Sequence, residues 1–228
     1  MLACYVTPDE LYATANVEAW IPRDIADASL RNATWAVADD LRKRGYDPGR
    51  MMPAKQLVGT GLYETVLKDD DFTGDAVAVS AASRFVIDVR NDGRASFTLE
   101  GSKDKEVWNP MLDMNGSVIS LDVLGAGLYS EKFLESYGYY RLIGTVQEEI
   151  RFTAYLVDDS ASRLIVWRAV MDGMYPALDG TTRTELLYST ARDEYREALG
   201  TLKAAYDASG DGMPDREITT QRSARLHR

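Results

Sequence analysis

Two stretches far apart in the chain, residues 27–44 and 183–207, each keep their apolar residues on one face of a helix. In the first, Leu30, Thr34, Val37, Ala38 and Leu41 recur at spacings of three and four. In the second, Leu187, Ala191, Tyr195, Ala198, Leu199, Leu202 and Tyr206 do the same over a longer span. Their boundaries are signalled as well. Asp24 and Asp27 offer N-caps, Arg42-Lys43-Arg44 suits the negative end of a helix dipole, and Gly45 supplies a stop. Thr182 and Glu185 have capping-box spacing. A helix with one apolar face must lie on a sheet or on another helix, so the rest of the chain has to supply that surface.

Between them the sequence is β-rich. Phe85, Ile87 and Val89 alternate with Arg84, Asp88 and Arg90, which predicts a strand over 83–90. Asn91-Asp92-Gly93 reads as a tight turn, and Ala95–Leu99 is expected to pair back as the second arm of a hairpin. Residues 103–109 read as polar loop, 118–124 as a strand, and 125–140 as an irregular Gly/Tyr-rich segment. A long strand is expected over 140–158, bulged near Gln147-Glu148-Glu149, with 164–170 returning through Trp167 as its hairpin partner. Nearer the N-terminus, residues 11–21 read as a first strand ending at Pro22, 51–54 as a short return to the sheet, and 56–68 as a short second helix. No repeat or interdomain linker interrupts the pattern. The expected fold is therefore α/β (α+β), a single domain over 5–208. Its mixed sheet with hairpins is covered by the two main helices, and 209–228 form a polar tail.

Composition narrows the chemistry. Of 228 residues, 45% are apolar and 27% charged, enough to build a packed core. Acidic residues outnumber basic ones 36 to 26, a net charge of −10, which argues against a nucleic-acid partner. The only cysteine is Cys4 and the only histidine His227, which excludes an intrachain disulfide, a Cys/His zinc site, a Cys–His dyad and a triad with an interior histidine. No Gly-rich phosphate loop is followed by a lysine, and Gly125-Ala126-Gly127 is too short to mark a cofactor. The acidic pairs Asp39-Asp40, Glu148-Glu149 and Asp158-Asp159 are expected on solvated faces, because neighbours on a strand point to opposite sides. No apolar run approaches the ~18 residues of a membrane-spanning helix.

Two groups of residues stand out as candidate sites. In Asp207–Glu217, oxygen ligands recur as Asp207, Ser209, Asp211 and Asp215, with Gly212 at the sharp turn, Met213 offering its carbonyl and Glu217 at the end. This segment resembles the Asp-rich calcium loops of EF-hand-like and thrombospondin-type repeats, and the resemblance implies a weak calcium site. It departs from that pattern at Ile218, where a bidentate glutamate is usual, and at Ser209. The second group, Tyr129, Tyr137, Tyr139 and Tyr140, is a possible partner surface, since tyrosine offers area and a polar tip at small entropy cost.

The start, Met1-Leu2-Ala3-Cys4, reads like the end of a bacterial lipoprotein signal, which would make Cys4 a lipidation site; as written, no basic or apolar signal segment precedes it. Two further segments, Ala38–Tyr46 (ADDLRKRGY) and Ile150–Trp167 (IRFTAYLVDDSASRLIVW), are similar to small bacterial envelope lipoproteins of the curli-secretion and peptidoglycan-synthase-activator type. The match covers about half the chain. Ala76–Ser80 replaces the usual strand before the hairpin, and the 125–140 insert has no counterpart. The resemblance implies a non-enzymatic binding or assembly module in the periplasm or on the outer membrane, held by a lipid anchor, with an envelope protein as partner and oligomers allowed. Two other functions fit the residues: a secreted or cytosolic binding domain stabilised by calcium, and a carboxylate-dependent hydrolase such as a glycosidase.

Overall fold

The computed structural model describes residues 4–52, 54–58, 65–68, 70–79, 82–133, 135–174 and 181–206. The described helices are α1 (Pro8–Ala15), α2 (Arg23–Lys43), α3 (Pro48–Met51), α4 (Ser162–Met174) and α5 (Thr182–Tyr206). The strands are β1 (Ala54–Val58), β2 (Thr65–Leu67), β3 (Asp71–Thr73), β4 (Val77–Ala78), β5 (Arg84–Val89), β6 (Ala95–Ser102), β7 (Asn109–Pro110), β8 (Ser120–Val123), β9 (Gly127–Lys132), β10 (Tyr139–Val146) and β11 (Ile150–Val157). The fold is α+β, with two compact units: strands from Met52–Asp159 joined by Met1–Thr7, and helices from Pro8–Met51 and Ser160 onward.

In the strand unit, every pairing is antiparallel and the expected mixed sheet is replaced by two sheets. The first runs β1–β11–β5–β9 with β2 also on β11; the second runs β3–β10–β6–β7 with β4 on β10 and β8 on β6. The strand orders β1–β11–β5–β9 and β3–β10–β6–β8 are those of a jelly roll, two interlocked Greek keys closing a sandwich. Alternate residues of both sheets meet inside. Phe97 of β6 and Phe152 of β11 lie 4.8 Å apart between ring centroids, and Phe72 of β3 meets Phe152 edge-on at 6.5 Å. Phe85, Ile87, Leu99, Leu142, Ile150 and Leu156 complete the centre of this core.

Several sequence expectations are corrected by this topology. Residues 83–99 do not form a hairpin, because β5 and β6 lie in different sheets and Asn91–Arg94 carries the chain from one to the other. The long strand over 140–158 is likewise two strands in two sheets, broken at Gln147–Glu149. These two connections are stitched together. Gln147 and Glu148 donate their backbone N–H to the Arg94 carbonyl, while the Asn91 side chain donates to the Glu149 carbonyl and accepts from the Arg151 N–H. Gly93 is required there, since a Cβ would lie 2.3 Å from the Glu149 carbonyl oxygen. Residues 125–140 are not irregular throughout, for β9 runs through them and β10 begins there. The short helix expected over 56–68 is absent among the described residues, which are strands β1 and β2 on β11.

In the helical unit, α4 packs against α1, α2 and α5. This explains two further corrections. Residues 164–170, expected as a returning strand, lie in α4, which buries Leu164, Ile165, Val166, Ala169 and Val170, so tertiary packing overrides the local β preference of a β-branched run. The hairpin quoted for the lipoprotein resemblance is thus a strand followed by a helix. Residues 11–21, expected as a strand, begin in α1, where Pro8 and the acidic Asp9 and Glu10 make a helix start and Asn16 ends it at φ 51°. Helices 27–44 and 183–207 are α2 and α5. Leu41 is fully buried and Leu199 is 6% exposed. A polar network runs through this unit. The Tyr195 hydroxyl of α5 donates to Asp40 of α2 at 2.8 Å, and Arg168 of α4 lies 3.6 Å from the same carboxylate. Burial and the Asp40 hydrogen bond push the Tyr195 phenol well above its ordinary range.

Candidate functional site

The outward face of the second sheet follows from strand parity. Ala95, Phe97 and Leu99 point into the core, so Ser96, Thr98 and Glu100 point out. By register, Arg141, Glu100 and Pro110 form one row across β10, β6 and β7. The chain beyond β7 keeps this alternation, with Met111 and Ile119 buried and Leu112 and Val118 exposed as a bridged pair. Met114 projects at the tip between them.

The end of this face beside residues 102–108 is built from aromatic, cationic and apolar side chains. Arg141 holds Glu100 at 2.7 Å, with the two side chains only 28% and 14% exposed. The Arg141 guanidinium lies 4.3 Å from the Trp108 ring centroid, and the Lys105 ammonium lies 4.5 Å from that of Tyr139. The Trp108 Nε1 donates to the Lys105 carbonyl, fixing the indole on its own loop.

Both turns that carry these residues are tied by aspartates. Asp104 accepts the backbone N–H of Glu106 and Val107, while Ser102 Oγ accepts those of Asp104 and Lys105. Asp113 accepts those of Asn115 and Ser117, each at 2.8 Å. Backbone hydrogen bonds hold both carboxyls below the usual carboxylate range. The side chains are therefore presented by loops with fixed backbones.

Five of the nine large apolar side chains exposed among the described residues fall between 107 and 124: Val107, Leu112, Met114, Val118 and Leu124. Val107 precedes Trp108 in its loop, and Leu112, Met114 and Val118 follow β7 in the segment closed by the Leu112–Val118 bridge. Trp, Tyr and Arg are the residue types that dominate binding energy at protein interfaces.

The tyrosines singled out in the sequence do not form one surface. Tyr140 is fully buried in the core, where its hydroxyl accepts from the Tyr137 N–H. Tyr129 lies on β9 in the other sheet and bonds the Gly125 carbonyl and the Leu124 N–H. Tyr137 is half-buried and donates to Glu135. Tyr139 alone joins the aromatic–cationic face. Cys4 is half-buried, with its thiol 3.9 Å from the Val6 carbonyl, and Tyr5 and Val6 beside it are buried. The candidate calcium ligands Asp207, Ser209, Asp211, Met213, Asp215 and Glu217, and His227, lie outside the described residues. Among the described residues, no group of three His, Cys, Asp or Glu side chains is placed to hold a metal ion, and no helix is long and apolar enough to cross a membrane.

The acidic pairs are engaged in structural contacts. Asp39 pairs with Lys43, Glu148 with Arg94, Glu149 with Lys68 and Arg151, and Asp159 with Arg84 and Lys132. On the outward face Asp71, Thr145, Ser96 and Asp122 form a row across four strands. The Thr145 hydroxyl donates to Asp71 and the Ser96 hydroxyl to Asp122, each at 2.8 Å, so both carboxylates of the row are engaged by its hydroxyls.

Sequence reasoning missed Trp108, Arg141, Leu112, Met114 and Val118. The usable signal was the alternation Trp108, Pro110, Leu112 and Val118, Ser120, Asp122 about Asn115-Gly116, a hairpin turn in which Gly116 takes φ 82°.

No family model matches the chain, and neither does any curated protein. Among solved structures, the SPBc2 prophage-derived protein YomS is similar at 5% identity and TM-score 0.33, covering 47% of this chain and 93% of that one. PirA is similar at 11% identity and TM-score 0.30, covering 44% and 97%. CpGH89CBM32-6 produced by Clostridium perfringens is similar at 13% identity and TM-score 0.28, covering 46% and 92%. Likenesses this remote carry no argument about what this protein binds.

Proposed function

We propose that this protein is a non-catalytic binding or assembly module, and that its partner is another protein docked on the outward face of the second sheet. The reading is carried by one observation, the run of exposed Val107, Leu112, Met114 and Val118 in the segment that carries Trp108, whose ring stacks on the Arg141 paired with Glu100. Apolar area supplies the drive for association. The aromatic–guanidinium stack supplies anchors whose conformations are already fixed, so that little side-chain entropy is lost on docking.

The test uses the tagged full chain recovered from its native host after reversible crosslinking, beside a Leu112→Asp/Val118→Asp variant and a Trp108→Ala variant. Both substituted aliphatic side chains face solvent, so the variants should melt as the wild type does. The expected result is a protein crosslinked to the wild type, lost from the double variant and reduced at least tenfold by Trp108→Ala. Identical crosslinked sets for all three proteins would overturn the reading.

A further inference from the structure

The turn at the tip of the segment that follows β7 holds the parts of a reaction within the main chain. Asn115 is the only asparagine of the chain that a glycine follows. A glycine carries no side chain to obstruct the approach of its own nitrogen to the Asn115 amide carbon. Both residues are exposed, and a Cβ on Gly116 would meet nothing within 4 Å, so water reaches the turn from its open side. We propose that Asn115 is a site of deamidation and that the Asp113 side chain sets its rate by clasping the turn.

The reaction balances with water alone. The Gly116 nitrogen gives its proton to solvent base and bonds to the Asn115 Cγ. The Cγ–Nδ2 bond breaks, and the leaving nitrogen takes a proton from water and departs as ammonia. The product is a cyclic succinimide. Water then adds to one of its carbonyl carbons and breaks that carbon's bond to the ring nitrogen. Opening at Cγ gives aspartate, and opening at the main-chain carbonyl gives isoaspartate. Nothing is oxidised or reduced. The isoaspartyl product carries the main chain through an additional methylene between the bridged residues Leu112 and Val118, which shifts their register.

In the closed turn the reaction is held back at its nucleophile. The Gly116 N–H donates to the Asp113 carbonyl at 3.1 Å, and the Asp113 N–H donates to the Ser117 carbonyl at 2.8 Å. Asp113 Oδ1 accepts the N–H groups of Asn115 and Ser117, each at 2.8 Å, so one carboxylate pins the peptide units on either side of the Gly116 nitrogen. To reach the Asn115 Cγ, that nitrogen must leave its carbonyl partner while the peptide plane between Asn115 and Gly116 rotates, which pulls on both bonds to Asp113. The ionised carboxylate also disfavours the anion that the Gly116 nitrogen becomes on losing its proton. Backbone hydrogen bonds hold the Asp113 carboxyl below the usual range, so it stays ionised where solvent base is plentiful. Deamidation therefore proceeds from a locally opened turn. This chemistry is independent of the docking proposed above.

Incubation of the full chain at mildly alkaline pH, followed by peptide mapping with mass spectrometry, tests the inference. Amide loss should map to Asn115. Asp113→Ala should speed it about tenfold or more, the effect of one hydrogen bond to a charged acceptor on an opening equilibrium. Asp113→Asn keeps an acceptor oxygen without the charge, and its rate should fall between those of the wild type and Asp113→Ala. Equal rates in the wild type and Asp113→Ala would overturn the inference. So would Asp113→Asn reacting as fast as Asp113→Ala, since the clasp would then contribute nothing beyond charge. Asn91, held by its contacts to Glu149 and Arg151, reports on wider unfolding. An acceleration in Asp113→Ala that Asn91 shares would also overturn it, because the protection would then belong to the whole unit and not to the turn.

Discussion

Replacing Arg84 by methionine should cost the strand unit about 3 kcal/mol. Arg84 begins β5 and is 2% exposed. Its guanidinium donates to the Tyr5 carbonyl at 2.8 Å and to Ser130 Oγ at 3.2 Å, and pairs with Asp159 at 2.7 Å. One side chain thus ties the N-terminal segment, strand β9 and the residue just beyond β11. Methionine keeps most of the aliphatic stem and removes the charge and the donors. Removing one partner of a buried ion pair costs roughly 3–5 kcal/mol, because the remaining charge and the freed acceptors stay out of water. Here the low end applies, since Asp159 keeps Lys132 at 2.8 Å and is 19% exposed. Urea unfolding followed by near-UV circular dichroism measures the change, as a lower midpoint at unchanged slope. Tyr5→Phe is the control. The Tyr5 hydroxyl is buried with no hydrogen-bond partner among the described residues, so its removal should be neutral or mildly stabilising. A loss below about 1 kcal/mol for Arg84→Met would refute the reasoning that Arg84 is a structural tie.

Gly93→Ala should destabilise the same unit by roughly 1–3 kcal/mol, as overpacking against rigid backbone does, and the midpoint of the same urea transition reads it. The Tyr195 phenol is held above its ordinary value by burial and by Asp40. The native state therefore keeps a proton that the unfolded chain releases, so this group's stabilisation is complete below about pH 10 and falls as pH rises beyond it. Helix melting followed by far-UV circular dichroism between pH 8 and pH 11 should show that fall. Tyr195→Phe should flatten it, and an unchanged slope in the variant would rule out Tyr195 as its source.

The helices α2 and α5 were readable because each carries a one-sided apolar face, whereas their N-terminal signals were misplaced. Asp24 and Asp27 lie inside α2, which Pro22 precedes with no side-chain cap, and Thr181 rather than Thr182 receives the Thr184 N–H at the start of α5. What escaped the sequence is pairing between distant segments. Phe85, Ile87 and Val89 alternate as a strand should, yet nothing local says that Asn91-Asp92-Gly93 leads into a different sheet. That depends on the close approach of Gly93 to Glu149, more than fifty residues away. Leu164–Val170 reads as a strand because its β-branched residues would suit one, but burial between other helices decides otherwise. The candidate face was hidden for a related reason. Trp108 sits in a polar loop, and its partner Arg141 on β10 becomes its neighbour only through the β6–β10 pairing.

The arrangement of the two units along the chain has a consequence for how the protein reaches its native state. The helical unit is discontinuous, with α1–α3 made before the strands and α4–α5 after them. Left unfolded, the intervening segment would be a loop of roughly 100 residues, whose closure would oppose helix docking by about 4 kcal/mol in chain entropy. The sandwich removes much of that cost. Its entry strand β1 and exit strand β11 are hydrogen-bonded neighbours, with Ala54 opposite Val157. Once folded, it returns the chain to within a strand spacing of where it left. On a ribosome the strands emerge before α4 and α5, so the sandwich is complete first and then presents the two halves of the helical unit to each other. Weakening β1–β11 pairing should therefore slow assembly of helices that contain none of the altered residues.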